Sequence, residues 1–199
     1  MKHARSLLLL HNFIAAAQPA FDHFVRSPDG RRAAAKVFHA LEVASPIAVA
    51  AGIRLPVCSL LPAALSIEVS HPCLRLLLDA FGAVEPQLRW RRRESYDDTA
   101  SESFPTGHAN AMIVGPGGLE ERNDVWVGVS LLAPSVRYPD HSHPPEEVYL
   151  VASDGEFRQG RGTWFTPGMG GTLYNSPGIQ HAMRSSNTPL LAFWLLPIL

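Results

Sequence analysis

Hydrophobic positions change their period midway along the chain. In the first half they recur at helical spacing. Ala34, Val37, Phe38 and Leu41 line one face, with Arg31, Arg32 and Lys36 elsewhere on the wheel, and Leu74, Leu77, Leu78 and Phe81 repeat the pattern. Gly82 reads as the stop of that second helix, Ser27-Pro28-Asp29-Gly30 as a turn, and Pro46, Pro56, Pro62 and Pro72 as punctuation. Leu7 to Leu10 and Ala15 to Ala17 form an apolar run broken by His11 and Asn12, and the stretch reads as an amphipathic helix. With Lys2 and Arg5 ahead of it, the same stretch also has the outline of a weak signal peptide; the helix, in a cytoplasmic protein, is the preferred reading. Four or five short helices are expected before residue 95. The basic run Arg89-Trp90-Arg91-Arg92-Arg93 reads as a solvated helix end, and residues 95–107 as a linker.

From His108 the apolar runs are short and rich in strand formers: Ala111 to Val114, Val125 to Ala133, Val148 to Ala152, Gly162 to Phe165, Thr172 to Tyr174 and Leu190 to Leu196. Gly-Pro-Gly-Gly (115–118), Ser-Asp-Gly (153–155), Pro-Gly-Met-Gly-Gly (167–171) and Ser-Pro-Gly (176–178) supply turns between them. Many short strands separated by turn chemistry predict a sandwich or barrel. The expected organisation is a helical segment over residues 1–100 packed on a barrel over residues 101–199.

Composition narrows the function classes. At 199 residues, 46% hydrophobic and 18% charged, the chain buries a core without needing disulfides or a structural metal. A net charge of −1 excludes a strongly basic nucleic-acid binder, and no apolar run approaches the roughly 20 residues of a membrane span. Cys58 and Cys73 are too few for a disulfide framework. They read as buried thiols in a reducing compartment, with a bond between them as the alternative.

Candidate chemistry concentrates between Tyr138 and Tyr149. His141 and His143 are two apart and share a face of an extended chain; Glu147 and Tyr149 do the same on the next strand, with Val148 and Leu150 opposite. Pro144-Pro145 predicts a turn that brings two imidazoles, a carboxylate and a phenol to one side. His181, 34 residues beyond Glu147 and just after Ser176-Pro177-Gly178, completes the set. Three imidazoles and a carboxylate suit one divalent first-row metal per chain, Zn2+ or Fe2+ first, then Mn2+ or Ni2+. His3, His11, His23, His39 and His71 read as helix-surface or packing residues, and His108 as a strand start by default, with a pocket residue as the alternative.

This arrangement resembles the cupin family over about residues 108–199. The first motif of that family, His-x-His and then Glu, matches His141, His143 and Glu147; the His of its second motif matches His181 after Pro177-Gly178. The chain departs from the pattern at Ser135, where a Gly is expected, at Gly155, which comes one residue late, and in Pro-Gly replacing Pro-x-Gly. Its length, its helical first half, and Tyr138 and Tyr149 make it similar to the bacterial cupin-type dimethylsulfoniopropionate (DMSP) lyases. The resemblance implies a mostly β fold, with a cupin (double-stranded β-helix or jelly-roll) barrel preceded by the helical segment. It implies metal-dependent β-elimination of DMSP to dimethyl sulfide and acrylate.

For that chemistry the metal takes the substrate carboxylate and a tyrosine takes the α-proton. Tyr149 is the first choice of base; Tyr138 is the second, or a hydroxyl that orients the carboxylate. A sulfonium is held by aromatic faces, for which Trp194 is preferred, then Trp126, with Trp164, Tyr174 and Phe193 as further supply. Another cupin enzyme (an Fe-dependent dioxygenase or an isomerase) and a non-catalytic small-molecule-binding cupin are the alternatives. A homodimer is expected by analogy.

Overall fold

The computed structural model describes residues 2–48 and 51–198. The helical half comprises α1 (Lys2–Phe24), α2 (Pro28–Ala40), the single turn α3 (Leu61–Leu65) and α4 (Pro72–Val84). Three details differ from the sequence reading. The first helix is one 23-residue element with Pro19 inside it, longer than the short helices expected. Ser27 to Gly30 is a helix start: Ser27 is extended, its hydroxyl accepts the Gly30 N–H at 3.1 Å, and Pro28 takes the first helical position, where its missing N–H costs nothing. Gly82 does not stop α4, which runs on and buries Val84.

The basic run is also reassigned. Trp90 and Arg91 form β1 (Trp90–Arg91), paired antiparallel with Ala111 and Asn110. Trp90 is buried, and its indole N–H donates to Glu85 at 2.7 Å. Glu85 is a buried carboxylate that Arg54 also grips, its Nε–H donating at 3.0 Å. One large apolar ring among cations is enough to anchor the strand, because the arginines on either side stay in water.

After the single turn α5 (Phe104–Gly107) come β2 (His108–Val114), β3 (Val125–Leu132), β4 (Glu147–Val151), β5 (Gly155–Gln159), β6 (Thr172–Asn175), β7 (His181–Ser185) and β8 (Leu190–Pro197). The larger sheet has the order β1-β2-β3-β8-β4-β6, every pairing antiparallel, and β5 pairs with β7 in the second. β5 begins inside the Ser-Asp-Gly segment that reads as a turn. Gly162 to Phe165 is not a strand: only Phe165 bridges to the chain, at Phe157.

The period of two divides each central strand between two cores. Val127, Val129 and Leu131 of β3, Leu191, Phe193 and Leu195 of β8, and Val148 and Leu150 of β4 join the helices in one cluster. Phe193 sits at its centre, its ring 6.1 Å from Phe13 and 5.1 Å from Phe81. Leu132, Tyr149, Val151, Phe157, Met183 and Ala192 form a second cluster inside the barrel, between the two sheets. The structure is thus a barrel of two antiparallel sheets behind a helical layer.

Ser135 explains one departure from the cupin pattern. Its φ is 59°, the only positive value at a non-glycine residue among those described. A side chain in this left-handed region costs about 1–2 kcal/mol, which is why a glycine suits the position. Two outcomes follow for chemical denaturation. Phe193→Ala should lower stability by about 3–5 kcal/mol, because it empties the junction of helices and sheet. Ser135→Gly should raise it by about 0.5 kcal/mol, the relieved strain less the extra chain entropy of glycine.

Candidate metal centre and its cavity

His141 and His181 meet through the backbone. The N–H of each donates to the carbonyl of the other, at 3.0 and 2.8 Å, so they form a directly opposed antiparallel pair. Opposed residues project to the same face, and the two rings lie 4.1 Å apart. The Pro177-Gly178 turn secures the third histidine, because the Gly178 N–H donates to the His143 carbonyl at 3.0 Å. Gly178 has φ 71°, a turn conformation glycine adopts without strain.

All three imidazoles are oriented in the same way. The Nδ1 of His141 bonds the Pro139 carbonyl at 2.9 Å, that of His143 the Pro145 carbonyl at 2.9 Å, and that of His181 the Ile179 carbonyl at 3.0 Å. A carbonyl only accepts, so Nδ1 carries the proton in each ring and Nε2 keeps its lone pair. The three histidines present ligand atoms within 4.8 Å of one another. The Nε2 of His181 is buried and makes no hydrogen bond. A buried, unpaired lone pair aimed at two others fits a metal ion.

Glu147 closes the set. Its Oε2 lies 3.3 Å from the Nε2 of His143 and 3.1 Å from that of His181, and accepts the Asn175 side-chain N–H at 3.0 Å. Glu147 and Asn175 are cross-strand partners in β4 and β6, and Gln159 holds the Asn175 carbonyl at 2.7 Å. Burial alone would raise the Glu147 pKa, but His143 and His181 beside the carboxylate hold it well below the usual carboxylate range. Burial, with His181 beside it, lowers His141 to about 3, so that imidazole is neutral at physiological pH. Burial would lower His143 as well, but the adjacent Glu147 carboxylate raises it.

A cavity of about 180 Å3 opens from His141, His143 and Glu147. Tyr149 and Tyr138 both face it, as do Trp126 and Trp194, while His181 adjoins His141 and Glu147 at the centre. Trp194 is opposite Tyr149 on one side and Gly128 on the other. A Cβ at Gly128 would lie 2.2 Å from the indole, so glycine lets the ring lie flat along β3. Burial and then the Glu147 carboxylate push the Tyr149 phenol well above its ordinary range. Burial also raises Tyr138, against the opposing pull of Arg93 and Asn110.

The further aromatic candidates lie elsewhere. Phe193 faces the helices. Trp164 stacks outside the cavity under the guanidinium groups of Arg184, Arg158 and Arg137, at 4.4, 5.1 and 5.5 Å. The Tyr174 hydroxyl donates to Glu146 at 2.7 Å. Three polar residues that line the cavity escape the sequence reading, Arg93, Asn110 and Ser130, as does Asn175 beside Glu147. Ser130 donates to Asn110 at 2.7 Å, Asn110 donates to the Tyr138 hydroxyl at 3.0 Å, and the Trp194 N–H donates to Ser130 at 3.1 Å. The legible signal is a polar residue on the barrel-facing row of an otherwise apolar strand, as at Ser130, two beyond Gly128. His108, read as a strand start, does begin β2 and is fully buried. Cys58 and Cys73 are free thiols.

Removing the neighbour that holds Glu147 should weaken the centre. Asn175→Ala is expected to lower affinity for Zn2+ about 10- to 100-fold in competition with a chromophoric chelator, and His181→Ala to lower it further.

Comparisons with known proteins place the chain among related proteins. The family model for dimethylsulfoniopropionate lyase matches residues 29–192. The dimethylsulfoniopropionate lyase DddQ of Ruegeria pomeroyi is 24% identical over 192 residues, covering 96% of this chain and 87% of that one. Its crystal structure superposes with a TM-score of 0.71 at 25% identity, covering 98% of this chain and 91% of that one. A solved chain from a study of the DMSP lyases RdDddP and RnDddQII gives a TM-score of 0.70 at 22% identity, covering 96% and 93%. With more than half its length matched by the family model, the chain belongs to the dimethylsulfoniopropionate lyase family and is a carbon–sulfur lyase.

Proposed function

We propose that this lyase cleaves DMSP to dimethyl sulfide and acrylate at the His141, His143, Glu147 and His181 centre. One observation carries the reading: three backbone-anchored imidazoles adjoin two phenols in a cavity walled by indoles. The substrate is a zwitterion with a carboxylate at one end and a dimethylsulfonium at the other. β-Elimination takes a proton from the carbon beside the carboxylate. The electron pair of that C–H bond becomes the C=C bond of acrylate, and the C–S pair departs on neutral dimethyl sulfide.

Each wall of the cavity has a part in this. Tyr149, on the same strand face as Glu147, is the base: as the phenolate it takes the α-proton on its oxygen and becomes the neutral phenol. Tyr138, whose oxygen accepts the Asn110 N–H, orients the carboxylate. Trp194, fixed by its N–H to Ser130, and Trp126 offer aromatic faces to the sulfonium. An aromatic face attracts a cation without bonding it, so dimethyl sulfide is free to leave. A dication held by the three histidines and Glu147 would supply a Lewis acid that draws charge from the substrate carboxylate and offsets the push of Glu147 on the nearby phenols. Zn2+ and Fe2+ suit this mixed nitrogen and oxygen donor set best, with Mn2+ and Ni2+ next.

The test is dimethyl sulfide in the headspace over purified, metal-loaded protein given DMSP without oxygen. Release is expected, with loss on chelation and a fall of about 100-fold or more in Tyr149→Phe. No release with any of the four metals would sink the substrate assignment. Release unchanged in Tyr149→Phe would remove Tyr149 as the base.

A further inference from the structure

Arg93 is the one permanently cationic side chain among the residues that line the cavity. It is partly buried, and its guanidinium carbon stands 6.0 Å from the centre of the Tyr138 ring. Its Nε–H donates to the Ser95 carbonyl at 2.8 Å, which leaves both terminal amino groups without an acidic partner among the described residues. Arg122, Arg137, Arg158 and Arg184 are each paired with a carboxylate. The only carboxylate lining the cavity, Glu147, is already engaged by His143, His181 and Asn175.

The backbone at Arg93, just past the end of β1, is held by a buried side chain. Its N–H donates to the Nε2 of His108 at 2.8 Å. His108 is fully buried, stacks on Phe104 with 3.7 Å between ring centres, and bonds the Phe104 carbonyl through Nδ1. That carbonyl fixes the proton on Nδ1 and leaves Nε2 as the acceptor Arg93 needs. A buried histidine is thus spent on placing a backbone whose side chain reaches the cavity and meets no anion there.

We propose that Arg93 binds the carboxylate of the substrate and of the acrylate product, and so selects for short carboxylic acids. The proposal deepens the DMSP reading above and rests on it for the identity of the substrate. A planar guanidinium matches a carboxylate with two parallel N–H donors, and a carboxylate has lone pairs enough to serve a guanidinium and a second electrophile together. The same charge repels the sulfonium. Arg93 therefore fixes the direction in which the zwitterion lies, with its cationic end toward Trp126 and Trp194.

The experiment measures propionate binding by its effect on tryptophan fluorescence in chelator-treated protein, so neither turnover nor metal is needed. Arg93→Ala should weaken propionate at least tenfold, Arg93→Lys less, and Arg92→Ala, the exposed neighbour of equal charge, not at all. The contact with His108 comes from the backbone and survives each replacement. In the metal-loaded enzyme, Arg93→Ala should raise KM for DMSP more than it lowers kcat, and raise the inhibition constant of acrylate in parallel. Propionate binding equal in wild type and Arg93→Ala, or lost equally in Arg92→Ala, would overturn the proposal. A protein that releases no dimethyl sulfide but binds propionate through Arg93 would refute the DMSP reading and leave Arg93 standing.

Discussion

The helices cover one face of the six-stranded sheet, and the polar chemistry on its other face depends on that cover. Val127, Val129 and Leu131 on β3, and Leu191, Phe193 and Leu195 on β8, all point into the helical layer. Each such side chain contributes about 1.5–3 kcal/mol when fully buried. A one-residue slip of β8 would turn that row into the barrel and send Trp194 against the helices. The hydrophobic sum over the outer face therefore fixes the register on the inner face, where tolerance for error is smallest. The inner face is then free to hold Asn110, Ser130, Glu147 and Asn175, none of which contributes much by burial.

Those polar residues are each held by a neighbour. Glu147 is an almost fully buried carboxylate, a costly group to remove from water if left alone. Two imidazoles and the Asn175 amide surround it, and Gln159 holds Asn175 in turn. The three histidines are tied to carbonyls of the main chain, so ring orientation follows from the backbone and needs no further side chain. A site built this way is preorganised: little remains to be ordered when a ligand arrives. The helical layer, the barrel and the site are consequently one cooperative problem, in which weakening the sheet's outer packing also loosens the centre.

Legibility in the sequence followed the range of the interaction. The alternation in Glu147-Val148-Tyr149-Leu150 assigned faces correctly, since Val148 and Leu150 enter the helical core while Glu147 and Tyr149 turn inward. Helical spacing likewise located α2 and α4. Errors arose where a local rule met a tertiary demand. Trp90 lies in a run of arginines that looks solvated, yet a pocket with Glu85 makes burial of one indole favourable. Phe193 and Trp194 are neighbouring aromatics and equal candidates by composition. Their opposite fates follow from the pairing of Trp194 with Gly128 and Tyr149. Ser135 kept the left-handed conformation of the glycine expected there, because the hydrogen bonds of the loop outweigh the strain of one side chain.

By itself, the sequence determined the donor types and their local faces: His141 with His143, Glu147 with Tyr149, and a third imidazole after a Pro-Gly turn. Backbone geometry sets these relations over two to four residues, so spacing alone carries them. Only the tertiary structure decided that His181 lies opposite His141, 40 residues earlier, and that Asn175 stands beside Glu147. The same holds for Arg93, which reaches the cavity from outside the barrel strands on the strength of its bond to His108. Pairings of that range have no local signature. They are selected by the burial of the whole sheet against the helices, a quantity to which every strand contributes and which no short stretch of sequence contains.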